Sequence, residues 1–138
     1  MDASPENPRI RILVVDDHPV VRRLLCRILQ GEPDFTLIGE AASGAEALVK
    51  AQELQPDIIL LDISLPDVNG LTMAGKLREV APAVEILVVS DYNAGEIEQL
   101  FSGGVRGYLL KSDSATELVT AIRTVNKKER YLSIKLRK

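Results

Sequence analysis

The chain has 138 residues, of which 46% are hydrophobic and 27% charged, which is the length of one domain and the composition of an ordinary globular protein. Its single cysteine, Cys26, excludes a disulfide framework or a multi-cysteine metal site, and no apolar run approaches the roughly 20 residues that cross a bilayer. The net charge of −3 is unevenly spread: residues 127–138 hold six basic groups and one acid, a balance of +5, so the remainder carries −8.

An acidic body argues against direct DNA binding, because neutralising phosphates requires clustered Lys and Arg. It favours a site for a divalent cation. The stretch from Asp2 to Pro8 is polar and Pro-containing, without the character of a signal peptide, so a cytoplasmic protein with no membrane contact is expected.

Taken in chain order, five short β-branched runs at 10–15, 35–40, 58–61, 86–89 and 107–110 alternate with helical periods. Most of the runs are continuously apolar, the pattern of strands buried on both faces of a parallel sheet. After the first, Val20, Val21, Leu24, Leu25, Ile28 and Leu29 form one helical stripe, and Pro19 suits its first turn. Within that stripe Cys26 reads as a buried structural thiol. The Ala-, Glu- and Leu-rich stretch 44–54 gives the second helix, ending before Pro56.

Leu71, Ala74, Leu77 and Val80 or Ala81 mark the third helix, stopped by Pro82. Ile97, Leu100 and Phe101 mark the fourth, with Gly103-Gly104 able to supply a left-handed cap. Leu118, Ala121, Ile122 and Val125 mark the fifth, after Asp113 or Ser114 as N-cap.

Five β-α units predict an α/β fold with an open, doubly wound parallel sheet. Ligands of such sheets bind outside the carboxyl ends of the strands. Asp16 and Asp17 follow the first strand, Asp62 the third, Ser90 the fourth and Lys111 the fifth, so three carboxylates, a hydroxyl and an amine converge on one rim. Three neighbouring carboxylates repel one another and call for a cation, and hard oxygen ligands suit Mg²⁺. Ser90 can donate to a phosphoryl oxygen, Lys111 can neutralise it, and a carboxylate can itself be the nucleophile, forming an aspartyl phosphate.

The segments Ile12-Leu13-Val14-Val15-Asp16-Asp17-His18, Leu60-Leu61-Asp62-Ile63-Ser64-Leu65-Pro66 with Gly70, Val88-Val89-Ser90, and Gly107-Tyr108-Leu109-Leu110-Lys111 resemble the receiver domains of bacterial two-component response regulators. The resemblance covers roughly residues 9–126, in order and at matching spacing. It implies a flavodoxin-like sheet of strand order 2-1-3-4-5, with Asp62 as phosphoacceptor and Mg²⁺ as cofactor. The implied metal ligands are Asp17 directly, Asp16 largely through water, Asp62 and the backbone carbonyl of Ser64. Ser90 and Lys111 would hold the phosphoryl group, and Tyr108 would turn inward when Ser90 moves.

A sensor histidine kinase would be the donor, and dimerisation or release of a partner the output. Asp17-His18-Pro19-Val20-Val21-Arg22 and Gly107–Asp113 are similar to the NarL/LuxR-like subfamily, in which a helix-turn-helix domain usually follows. DNA would then be reached only through an effector domain absent from this chain, in the service of transcription regulation. The alternative is a stand-alone receiver serving a phosphorelay or protein interaction. The expected organisation is a flexible tail at 1–8, a receiver at 9–126 and a basic linker or tail at 127–138.

Three positions depart from the common pattern: Asp91 after Ser90, Ser64 two residues after Asp62, and Ser112 where a proline commonly follows the lysine. Ser64 also separates the chain from haloacid dehalogenase phosphatases, which place a second Asp there as general acid. A degenerate receiver used as a scaffold is disfavoured because Asp16, Asp17, Asp62, Ser90 and Lys111 are all retained. The stretch Gly70 to Leu77 nearly spells a phosphate-binding loop, but it ends in Leu where a hydroxyl is needed and reads as a helix. His18, without a second histidine to help it, reads as a solvated loop residue.

Overall fold

A computed structural model describes residues 9–91 and 94–137. The tail expected at 1–8 lies outside the described residues. The elements run β1 (Ile10–Val15), α1 (Pro19–Gln30), β2 (Phe35–Ala41), α2 (Gly44–Leu54), β3 (Ile58–Asp62), α3 (Gly70–Val80), β4 (Glu85–Ser90), α4 (Ala94–Ser102), β5 (Gly107–Leu110), α5 (Ser114–Asn126) and β6 (Tyr131–Leu132). The strands form one sheet in the order β2-β1-β3-β4-β5-β6, with every pairing parallel. The order expected for the first five strands is found.

The continuous apolar runs resolve into two cores because successive side chains of a strand leave opposite faces. Leu13, Val15, Ile59, Leu61, Ile86, Val88, Tyr108 and Leu110 pack on one face with Ala47 and Ala51 of α2, Met73 and Leu77 of α3, and Leu100 of α4. Ile12, Val14, Ile58, Leu60, Leu87, Val89 and Leu109 pack on the other with Leu25 and Leu29 of α1 and Leu118, Ile122 and Val125 of α5. Cys26 is buried in this second core, where burial and then the neighbouring Glu40 push its thiol up to about 11, in keeping with an inert structural thiol.

Local signals set the helix ends. Pro19 opens α1. The Asn69 side chain accepts from the Leu71 and Thr72 amides at 2.9 and 3.2 Å and caps α3. The segment that mimics a phosphate loop is therefore a helix whose first amides already have a partner. Gly104, at φ +97°, closes α4: its amide reaches the Phe101 carbonyl and Val105 reaches Leu100, a Schellman cap. Asp113 holds the N-cap position of α5 as expected, but it does so at the end of a 3₁₀ turn, Lys111–Asp113, and makes no side-chain cap bond.

A second difference concerns residues 127–138. Charge alone marks them as a solvated linker, but Tyr131 and Ser133 are buried and β6 extends the sheet beyond β5. Backbone bonds run from Tyr131 N to Arg106 O (3.1 Å) and from Ser133 N to Tyr108 O (3.0 Å), while the Ser133 hydroxyl accepts from Leu110 N at 2.8 Å. The Tyr131 hydroxyl donates to Glu117 Oε1 of α5 at 2.5 Å, and Arg130 lies over the Phe101 ring of α4.

Gly107 opens β5 in close quarters. A Cβ there would sit 2.6 Å from Leu87 Cδ1 and 2.8 Å from Val125 Cγ2, both side chains being buried. Gly107→Ala is expected to destabilise by about 1–3 kcal/mol through overpacking, measured by urea unfolding. An unchanged midpoint would show that β5 can shift to make room.

Candidate functional site

The carboxyl ends of β1, β3, β4 and β5 meet at one rim, and two of them carry the site in the same way. Asp16 and Asp62 each bend the chain by accepting the backbone N–H two residues on: His18 N to Asp16 Oδ1 at 2.8 Å and Ser64 N to Asp62 Oδ1 at 2.9 Å. Each turn buries its carboxylate, leaving the side chains of Asp16 and Asp62 1% and 0% exposed. Asp62 Oδ1 also accepts the Ser64 hydroxyl at 2.7 Å. Lys111 Nζ, at the end of β5, stands 3.4 Å from Asp62 Oδ2.

Asp17 completes the acidic group from a partly exposed position. One ligand atom from each of Asp16, Asp17, His18 and Asp62 lies within 4.8 Å of the others. Asp16 Oδ2, Asp17 Oδ1 and Asp62 Oδ2 are buried without a hydrogen-bond partner. A buried carboxylate oxygen left unpaired is costly, and three of them on carboxylates this close together fit a hard divalent cation.

The two buried acids titrate in opposite directions. Burial, then the charge of Asp62, holds the Asp16 carboxyl above its usual range, despite the bonds from His18. Burial also opposes the charge on Asp62, but the two Ser64 hydrogen bonds and Lys111 outweigh it and hold that carboxyl below the usual range. Of the pair, Asp62 is the one that ionises more readily, with one oxygen fixed by Ser64 and the other facing Lys111.

The structure brings Asp16, Asp17, Asp62 and Lys111 together as their strand-end positions require. Ser90 is the buried last residue of β4, and its hydroxyl donates to the Asp91 carbonyl at 2.5 Å rather than to the acids. Tyr108 is completely buried, and its hydroxyl donates to the same carbonyl at 3.4 Å. Ser90 and Tyr108 thus share one acceptor. Asp91 itself is exposed.

Two participants were not legible in the sequence. His18, read as a solvated loop residue, places Nδ1 3.2 Å from both Asp16 Oδ1 and Asp17 Oδ1 and 3.5 Å from Asp62 Oδ2. Ser64, considered for its backbone carbonyl, also contributes its side chain. Both enter through turn geometry, in which an Asp that accepts from residue i+2 swings that residue back over the carboxylate.

The response regulator receiver domain family matches residues 12–123. The response regulator GacA of Pseudomonas viridiflava is 38% identical over 125 residues, which are 90% of this chain and 58% of that protein. The response regulator protein VraR of Staphylococcus aureus is 34% identical over 121 residues, 87% of this chain and 58% of that protein. This chain therefore spans less than two thirds of these relatives.

Among solved structures, the signal receiver domain of NarL from Mycobacterium tuberculosis superposes with a TM-score of 0.81 at 31% identity, covering 87% of this chain and 98% of that one. A LuxR-family two-component response regulator from Aurantimonas sp. SI85-9A1 superposes with a TM-score of 0.83 at 32% identity, covering 89% of each chain. The motifs at the strand ends, the parallel sheet in the order 2-1-3-4-5 and these likenesses agree: the chain belongs to the response regulator receiver domain family, with NarL- and LuxR-type regulators among its relatives.

Proposed function

We propose that this chain is a phosphorylation switch that accepts a phosphoryl group on Asp62 from a sensor histidine kinase. The observation that carries the reading is the setting of Asp62: a buried carboxylate with Oδ1 fixed by Ser64 and Oδ2 unpartnered beside Lys111. The free oxygen attacks phosphorus, the bond from phosphorus to the donor's leaving atom breaks, and the electron pair leaves with the donor. Lys111 neutralises charge on the transferred group, and Ser90 gives up its bond to the Asp91 carbonyl to donate to a phosphoryl oxygen.

Asp16, Asp17, Asp62 and the backbone carbonyl of Ser64 would hold Mg²⁺, which supplies the remaining charge neutralisation. Ser64 offers no second carboxyl to act as general acid, so the reading is a switch rather than a phosphatase of many turnovers. Release of the Asp91 carbonyl by Ser90 frees the partner that Tyr108 shares, which links the site to β5 and to the β6 edge. Phosphorylation would thereby shift a two-state equilibrium at that surface. Output would pass, through dimerisation, to a DNA-binding effector domain outside this chain and so to transcription in the cytoplasm.

The test is incubation with Mg²⁺ and a small acyl phosphate donor, followed by intact-mass analysis. Wild type gains one phosphoryl group and Asp62→Ala gains none. Equal incorporation in the variant would overturn the assignment.

A further inference from the structure

We propose that His18, Asp16, Asp17 and Asp62 form a four-donor site for a borderline divalent transition-metal ion of the Zn²⁺ or Co²⁺ type. His18 would then be the residue that sets cation choice at this rim. The inference rests on the acidic rim being a cation site, as proposed above, and adds a nitrogen ligand to it.

The first support is spacing. Donors at 2.0–2.1 Å from a metal stand about 3.3 Å apart in a tetrahedron, and about 3 Å apart between neighbours in an octahedron. His18 Nδ1 is 3.2 Å from Asp16 Oδ1, 3.2 Å from Asp17 Oδ1 and 3.5 Å from Asp62 Oδ2. One donor atom from each of the four residues lies within 4.8 Å of the others. A modest closing of the carboxylates, with Asp16 Oδ1 exchanging its contact to the ring for the ion, therefore brings all four onto one metal.

The second support is the state of the oxygens. Asp16 Oδ2, Asp17 Oδ1 and Asp62 Oδ2 are buried and unpartnered, so lone pairs are left for an ion to take. The side chains of Asp16 and Asp62 are almost wholly excluded from solvent, whereas the His18 side chain is 53% exposed, which leaves a path for the ion to enter.

The third support is preorganisation. The His18 amide is bonded to Asp16 Oδ1, and the next residue is Pro19 at the start of α1, so the backbone that carries the ring is held at both sides. Imidazole nitrogen suits Zn²⁺, Co²⁺ and Ni²⁺, whereas Mg²⁺ prefers oxygen alone. Three carboxylates with one imidazole therefore shift preference toward the borderline ions while leaving a usable oxygen site for Mg²⁺.

The sequence makes the test clean, because it contains one histidine and one cysteine, and Cys26 is buried in the α1 core. Tag-free chain is titrated with Zn²⁺ and separately with Mg²⁺ by calorimetry, and with Co²⁺ by visible absorption, in wild type, His18→Ala and His18→Asn. Removing a group that only orients a metal ligand already costs about 10–100-fold in affinity, so at least a tenfold loss for Zn²⁺ is expected in both variants. The intense visible band of low-coordinate Co²⁺ should disappear, while Mg²⁺ affinity stays within about twofold of wild type, as expected if Mg²⁺ uses oxygen ligands alone. Equal Zn²⁺ affinity and an unchanged Co²⁺ spectrum, with Mg²⁺ bound throughout, would overturn the role of His18 alone. Absence of Mg²⁺ and Zn²⁺ binding in every protein would overturn the cation site itself.

Discussion

Asp16→Asn is expected to raise the thermal midpoint of the metal-free chain by about 3–8 °C and, if the rim holds Mg²⁺ as proposed, to abolish stabilisation by that ion. Asp16 is buried beside Asp62 and Asp17, and its Oδ2 has no hydrogen-bond partner. Asparagine keeps the shape and can still accept the His18 amide bond now made at 2.8 Å, but removes one charge from a crowded group. Relief of burial and repulsion on this scale is worth about 1–2 kcal/mol.

The pH dependence has a definite sign. Burial and then Asp62 raise the folded pKa of Asp16 above 3.8. Stability from its protonated form is therefore full below the unfolded value and is lost as pH rises through the folded value. The advantage of Asp16→Asn should be full above the folded value and shrink as pH falls through it toward 3.8. Differential scanning across that range, with and without Mg²⁺, checks both halves. A variant no more stable than wild type, yet still stabilised by Mg²⁺, would show that Asp16 neither strains the site nor serves the cation.

The other large effect is expected at Tyr131. Tyr131→Ala should lower unfolding free energy by about 3–5 kcal/mol, a large share of a domain's total. The substitution empties a buried aromatic position and deprives Glu117 of the hydroxyl that donates to it. Tyr131→Phe removes only that donor and should cost about 1–2 kcal/mol.

Burial and then Glu117 push the Tyr131 hydroxyl up to about 12 from 10.0. A raised folded value means that stability is full below pH 10 and declines as pH rises through about 12, and Tyr131→Phe should lack this decline. Urea unfolding followed by circular dichroism measures all three proteins. A Tyr131→Ala midpoint equal to wild type would show that the basic segment contributes nothing to the fold.

The five β-α units were legible because strands buried on both faces leave continuous apolar runs between amphipathic helices. The ends of β3 and β4 were less so. Asp62 and Ser90 are polar and fall outside an apolar run, yet both hold ladder positions, opposite Val89 and Leu110. β6 was illegible for a different reason: two residues inside a basic stretch carry no periodicity, and what buries them is Glu117 and the β5 edge, both distant in sequence.

The candidate site divides in the same way. Asp16, Asp17, Asp62 and Lys111 could be read from position alone, since strand ends must converge. The ring of His18 and the hydroxyl of Ser64 enter through turns whose direction depends on side-chain hydrogen bonds that no residue pattern records.

Assembly of the rim from separate parallel strands also orders events during synthesis. No two neighbouring strands of this sheet form a hairpin, so each pairing joins segments far apart in the chain, a topology of high contact order that folds slowly. A nascent chain that has emerged only through α3 carries Asp16, Asp17 and Asp62 but not yet Ser90 or Lys111. Its acids are complete and their counter-charge is missing. β5 and the β6 edge that braces it emerge later and bring Lys111 to Asp62. If Asp62 is the phosphoacceptor proposed above, the group that would neutralise the transferred phosphoryl is therefore the last part of the rim to be put in place.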